Sequence, residues 1–336
     1  MENKSIEPTE SAKDFIAKNF QFATSVRSGD TSTSIVIHPD PNQPIINGKV
    51  TLTTFENVLY RSPKTANTNG RSLFMDIQVP ITEVLKPLIL FASGGGFIFA
   101  TKENNLDLRT YLAEAGFVVA SAEYRTVRDG VTYKEGIADL KSAIRFLRSN
   151  ARQYGIDPTN VGVWGVSSGA YLLTMVAVTN DERDFDIGEN LDQSSNVKAV
   201  VDQYGPSDLS KVDDDFNPEK REAALKMDRR SQYVNGFLPG NVGLSDPGSS
   251  PMNHVTPSNV KFLLFHGSQD GLISPSQTLL LHEALLAADV SSKRYVLEGA
   301  NHGDLAFLGD YSSGPLWSSV QTMDLIVDFF KTVLNS

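Results

Sequence analysis

From residue 50 onward, apolar positions recur along the chain in two alternating rhythms. Val50–Arg61, Ser72–Pro80, Pro87–Ala92, Phe117–Tyr124, Val161–Val166, Val197–Tyr204, Lys261–His266 and Arg294–Leu297 are short apolar or alternating runs, and each reads as a strand. Helical spacing separates them. In Tyr133–Tyr154, Ile137, Leu140, Ile144, Leu147, Ala151 and Tyr154 recur at steps of three and four, and Gly155 follows as a stop. Leu106–Ala115 predicts a shorter helix closed by Gly116, and Ser168–Val178 a mostly buried one. A further helix opens at Ser274-Pro275-Ser276-Gln277, which has the pattern of a capping box with Pro at the first position. Val320–Leu334 is a final amphipathic helix. Strands alternating with helices imply right-handed crossovers and a mostly parallel sheet with helices on both faces. Strands buried on both faces read as continuous apolar runs, as Phe117–Ala120 and Phe262–Phe265 do.

Two stretches lie outside this rhythm. Residues 1–48 are polar, with one short amphipathic stretch at Phe15, Ile16, Phe20 and Phe22, and read as an N-terminal arm or lid element. Residues 209–258 carry an acidic run at Asp213–Asp215 and a Gly/Pro/Ser-rich end, and read as a lid-like insertion. The acidic run itself reads as a solvated face. The expected organisation is therefore an arm over 1–48 and one catalytic domain over 49–336 that contains the 209–258 insertion.

Composition narrows the function classes. The chain has 336 residues, with 40 Asp+Glu against 30 Lys+Arg and a net charge of −10. That balance offers no basic footprint for nucleic acid or an anionic membrane surface. The absence of Cys removes disulfides, Cys-zinc sites, iron–sulfur clusters and thiol nucleophiles together. The N-terminus lacks the basic start and apolar core of a signal peptide, so a cytoplasmic location is expected. Apolar stretches such as Leu88–Ala92 are too short to span a bilayer. A homo-oligomer is compatible with all of this.

The chemistry begins at Gly165-Val166-Ser167-Ser168-Gly169, a G-x-S-x-G pattern between a strand and a helix. A sharp strand-to-helix turn there would lift the Ser167 hydroxyl to the C-terminal edge of the sheet. The first N–H groups of the helix would then point at a reacting carbonyl, where negative charge develops. A serine nucleophile needs a base, and in this arrangement the order is Ser, then Asp or Glu, then His. His38 precedes the serine, and His254 sits in the insertion ahead of the best acid. His266 ends a strand and reads as structural, and His282 lies within a helix, where a surface or half-buried role is expected. His302, in Gly299-Ala300-Asn301-His302-Gly303 after the last strand, is the base candidate. Asp270, in His266-Gly267-Ser268-Gln269-Asp270-Gly271, is the acid candidate. Asp208 is second, and Asp304 is too near His302 in sequence to reach its far nitrogen. Ser93-Gly94-Gly95-Gly96-Phe97 follows the third strand. Its three glycines permit exposed N–H groups with no Cβ in the way, as an oxyanion hole requires.

Together these residues resemble the serine esterase branch of the α/β-hydrolase fold. The likeness is to the bifunctional feruloyl and acetyl-xylan esterase type and, more distantly, to hormone-sensitive-lipase-like esterases. It covers about residues 50–336. It rests on Ser93–Phe97, Ala122–Thr126, Tyr154–Pro158, Val163–Ala170, Tyr204–Leu209, His266–Gly271 and Gly299–Gly303. The resemblance implies Ser167 as nucleophile, Asp270 as acid and His302 as base, with oxyanion N–H groups from Gly95, Gly96 and Ser168. Two departures stand out. The family usually has His where this chain has Ser93, and Ala-Gly-Gly where it has Ser168-Gly169-Ala170.

The expected function is hydrolysis of a small or medium-sized carboxylic ester through an acyl-enzyme, with no metal or cofactor. The same triad would also serve an amidase or peptidase, or an acyltransferase. A non-catalytic binding protein on a hydrolase scaffold is the reading from another class. Tyr233, Phe237 and Trp317 could stack on an aromatic acyl group, but packing is their commoner role.

Overall fold

The strand rhythm closes into one nine-stranded sheet in the order β1-β9-β8-β7-β6-β4-β5-β3-β2. The computed structural model describes residues 28–63, 70–208, 246–303 and 311–335. The strands are β1 Ile35–Ile37, β2 Leu52–Arg61, β3 Leu73–Pro80, β4 Lys86–Ala92, β5 Val118–Ala122, β6 Ile156–Val166, β7 Ala199–Gln203, β8 Lys261–Gly267 and β9 Ser292–Leu297. The helices are α1 Leu106–Glu114, α2 Tyr133–Ser149, α3 Ser168–Val178, α4 Ser276–Ala287, the single turn α5 Gly314–Trp317 and α6 Val320–Leu334. β2 pairs antiparallel with β3, and β3 with β5. The other neighbours run parallel. Among the described residues, no helix is long and apolar enough to cross a membrane.

The two-residue period of each strand divides its side chains between two cores. Leu88, Leu90 and Ala92 of β4 join Ile137, Leu140 and Ile144 of α2 and Leu172 of α3 on one face. Ile89 and Phe91 join Leu108 and Leu112 of α1 and Ile326 and Phe330 of α6 on the other. Both faces are covered, so the central strands have no polar side to show, and their sequences are near-continuous apolar runs.

The connections also position the site. From β4 the chain passes to β5 on one side and then to β6 on the other. β4 is therefore where the winding reverses, and ligand crevices open beyond the carboxyl ends of strands at such a point. Ser93–Gly96 leaves β4 there, and Ser167 leaves β6.

Several details depart from the sequence expectations. The polar stretch before residue 49 contributes an edge strand. β1 pairs with Tyr295–Leu297 of β9, and Ser34 accepts a 2.7 Å hydrogen bond from Arg294. Three residues with two exposed side chains carry too little pattern to signal a strand. The expected amphipathic stretch at Phe15–Phe22 lies outside the described residues, as does 209–245 of the insertion. The Asp157–Asn160 turn is looped out within β6. Pairing with β4 stops at Pro87↔Asp157 and resumes at Leu88↔Val161, and Asp157 folds the turn by accepting from the Thr159 N–H. The capping box at Ser274 does not form. Gln277 instead turns its Oε1 away to accept from the Ser207 and Asp208 N–H groups, both at 2.9 Å.

Candidate active site

β6 ends at Val166 and α3 begins at Ser168, so Ser167 alone makes the turn. Its backbone has φ 54 and ψ −125, a conformation that L-residues other than glycine rarely adopt. Close packing maintains this strain. A Cβ on Gly165 would stand 2.5 Å from the Ala170 backbone, and one on Gly169 would stand 2.3 Å from the Ala92 carbonyl oxygen. Those obstacles are backbone atoms, which cannot swing aside. Gly169→Ala is therefore expected to cost about 3 kcal/mol or more, beyond ordinary overpacking. A urea melt of the variant checks this, and an unchanged midpoint would refute it.

The glycine loop is fixed against the elbow. Gly95 and Gly96 have φ of +156 and +59, and the Gly95 carbonyl accepts from the Ile98 and Phe99 N–H groups. Gly94, the first of the three glycines, abuts the serine: a Cβ there would lie 2.8 Å from Ser167 Cβ. The two family departures both have structural work here. Ser93 Oγ donates to the Thr101 carbonyl at 2.7 Å and accepts from the Thr101 N–H, pinning both ends of the loop. The Tyr124 hydroxyl donates to the Ser93 carbonyl at 2.7 Å, and Ser168 Oγ lies 3.3 Å from it. Tyr124 has one proton, already given to Ser93, so Ser168 is the donor in that second contact. Loop and elbow are thus joined through one phenol. Tyr124→Phe would leave the buried Ser93 carbonyl and Ser168 hydroxyl unmet. We expect a loss of about 1–3 kcal/mol in chemical denaturation; an unchanged unfolding curve would remove Tyr124 from this role.

The candidate base and acid arrive on the loops after β9 and β8. His302 Nε2 is 2.9 Å from Ser167 Oγ, and His302 Nδ1 is 2.8 Å from Asp270 Oδ2. Ser167 is 9% exposed, His302 5% and Asp270 3%, so water competes little for these contacts. Asp270 Oδ1 accepts from the Leu272 and Ile273 N–H groups, both at 2.9 Å. Burial alone would raise the Asp270 pKa. The charge of His302 and hydrogen bonds from His266 and His302 outweigh it and hold the carboxyl well below the usual range. Asn301 links the two loops, since its Oδ1 accepts from the Gly271 and His302 N–H groups. The Tyr204 ring meets His302 edge-on at 4.7 Å and Trp317 at 4.6 Å, and Trp317 Nε1 donates to the Asn301 carbonyl. Trp317 packs beneath the base loop.

The other candidates fall elsewhere. His38 is exposed on the arm side of the sheet. His254 pairs with Glu182 and the Gly248 carbonyl. His282, expected to be at the surface or half-buried, is buried between Ser292 Oγ and the Thr33 carbonyl because the β1 segment covers it. The partner of His302 Nδ1 is Asp270 rather than Asp208. Asp304, Tyr233 and Phe237 lie outside the described residues. Among the described residues, no group of three His, Cys, Asp or Glu side chains could hold a metal ion.

The BD-FAE family profile matches residues 75–285, more than half of the chain. The chain belongs to the BD-FAE family. This match spans Ser93–Phe97, Gly165–Gly169 and His266–Gly271. A probable isoprenylcysteine alpha-carbonyl methylesterase of Arabidopsis thaliana is 29% identical over 70% of this chain and 55% of its own. Esterase LipC of Mycobacterium tuberculosis is 28% identical over 65% of this chain and 53% of its own. The chain thus spans about half the length of these relatives. A truncated carbohydrate esterase from gut microbiota superposes with a TM-score of 0.69, at 24% identity, over 88% of this chain and 100% of that one. At that identity the likeness speaks to the shared fold.

Proposed function

We propose that this BD-FAE family member is a serine hydrolase that cleaves a small or medium-sized carboxylic ester. The observation that carries the reading is the unbroken line Ser167 Oγ, His302, Asp270, each step at or below 2.9 Å. The Ser167 O–H donates to His302 Nε2, and the His302 Nδ1–H donates to Asp270. That tautomer leaves Nε2 ready to take the serine proton as Oγ attacks the ester carbonyl. The Asp270 carboxylate stabilises the imidazolium that forms. The carbonyl oxygen becomes an oxyanion, which the N–H groups of Gly95, Gly96 and Ser168 receive. Ser168 is the first residue of α3, so its N–H has no carbonyl one turn earlier to bond. His302 then gives its proton to the departing alcohol. A water molecule repeats the sequence on the acyl-enzyme and releases the acid.

The relatives whose names mention ester hydrolysis support an ester over an amide. The intact line of three residues supports catalysis over a binding role on a retired scaffold. Hydrolysis of p-nitrophenyl esters of increasing acyl length tests the proposal, with Ser167→Ala as the blank. Serine-dependent turnover is expected, and its chain-length profile sizes the acyl pocket. Equal rates for the two proteins on every ester would overturn it.

A further inference from the structure

We infer that His266 is a second histidine on the catalytic acid, a positioning residue whose N–H, bonded to the Ile273 carbonyl, also approaches the Asp270 oxygen that His302 binds and so tunes the base. The inference rests on the triad reading above and goes beyond it.

His266 ends β8 and is fully buried. Its Nε2 lies 3.1 Å from Asp270 Oδ2 and 3.0 Å from the Ile273 carbonyl oxygen. Both neighbours are acceptors, so Nε2 must carry the proton. Nδ1 lies 2.9 Å from Thr278 Oγ1, and that same oxygen accepts from Arg294 Nε at 3.0 Å. Arginine only donates, so Thr278 is free to give its own proton to Nδ1. The guanidinium gives its other donors to Ser34 Oγ and the Pro275 carbonyl. The ring is therefore fixed as the neutral Nε2–H tautomer. Burial disfavours its cation, the Arg294 charge adds to that, and Asp270 opposes both without reversing the balance. The charged or titratable groups that act on His266 are Asp270 and Arg294; on Asp270 they are His266 and His302.

The arrangement is a directed chain: Arg294 to Thr278, Thr278 to His266, His266 to the Ile273 carbonyl with Asp270 Oδ2 beside the same N–H, and His302 to Asp270 from the far side. Oδ2 is bonded to His302 Nδ1 and lies 3.1 Å from His266 Nε2, while Oδ1 is held by two backbone N–H groups. The partial positive charge of the His266 N–H beside Oδ2 stabilises the carboxylate and weakens its hold on His302. Without it the carboxylate would hold the His302 imidazolium more tightly and keep the base protonated to higher pH.

The test uses the full chain and p-nitrophenyl acetate, with rates normalised to sites titrated by a p-nitrophenyl phosphonate. His266→Leu removes the N–H, His266→Gln keeps one, and Thr278→Val removes the hydrogen bond at Nδ1 that fixes the ring's orientation. In His266→Leu the acid limb of kcat/KM should move to higher pH, since that limb reports the free enzyme's base. Its kcat at neutral pH should fall roughly tenfold with KM little changed, the scale of one charge-assisted hydrogen bond. His266→Gln should bring the limb back toward wild type, and Thr278→Val should move it upward by less than His266→Leu does. An unmoved limb in His266→Leu and Thr278→Val, at equal titrated sites, would overturn the inference and leave the triad standing. If His266→Leu does not fold, Thr278→Val decides alone. A wild type that neither turns over nor takes the phosphonate would defeat the triad reading first, and this inference with it.

Discussion

Ser167→Ala is expected to lower kcat on p-nitrophenyl acetate by a factor on the order of 10⁶, the scale seen when a triad serine is removed from a serine protease. The hydroxyl is the only atom of the side chain with a reactive role, and it meets His302 at 2.9 Å. Alanine has the same Cβ as serine and meets the same strain at φ 54. Gly94, Gly165 and Gly169 still enclose the turn, so the melting temperature should stay close to wild type. Activity and melting curve together give the check. Retained turnover in a folded variant would remove Ser167 from the mechanism.

Asp270→Asn should cost on the order of 10⁴ in kcat, by analogy with the same change in the serine-protease template. The local geometry explains why an isosteric change would be so harmful. Every hydrogen-bond partner of Asp270 donates: Leu272 and Ile273 N–H to one oxygen, His302 N–H to the other, with the His266 N–H 3.1 Å from it. An amide NH₂ has no acceptor on either side. It must either force His302 into the wrong tautomer or abandon two backbone donors. The same change has a pH signature in stability. The folded pKa of Asp270 is depressed, so its stabilising contribution is complete above the unfolded value of about 4 and fades as pH falls below it. Wild type should exceed Asp270→Asn in stability at pH 7, and the gap should narrow at acid pH. Urea melts at both pH values measure this; a gap that stayed constant would mean that the carboxylate charge is not what the fold uses. Near-normal kcat in Asp270→Asn would move the acid role elsewhere.

The parts of this site that could be read from sequence are those encoded by local pattern. The strand runs at Leu88–Ala92 and Phe262–Phe265 are apolar because both sheet faces are covered, so they stand out in the chain. The elbow is legible because one strained serine needs glycine on both sides, and Gly165 and Gly169 are there. Asp270 and His302 follow from chain order and from their places beyond strand ends. Contacts between single side chains distant in sequence were hidden. Tyr124 and Tyr204 sit in stretches that carry the family resemblance, yet their roles depend on Ser93, 31 residues before Tyr124, and on His302. His266 reads as an ordinary buried strand end until Asp270, Thr278 and Arg294 are placed around it. The Ser274–Gln277 pattern misled because a tertiary partner outcompeted the local cap: Gln277 bonds the Ser207 and Asp208 N–H groups instead. β1 and the burial of His282 were missed together, since one covers the other.

Covalent labelling tests the central claim most directly. The wild-type chain would be incubated with a p-nitrophenyl phosphonate, and intact mass, peptide mapping and residual esterase activity followed together. One phosphonyl group per chain is expected, on the peptide that carries Ser167, with activity lost in proportion to labelling. Esterase activity that survives complete labelling of Ser167, or inactivation with the adduct on another residue, would contradict it.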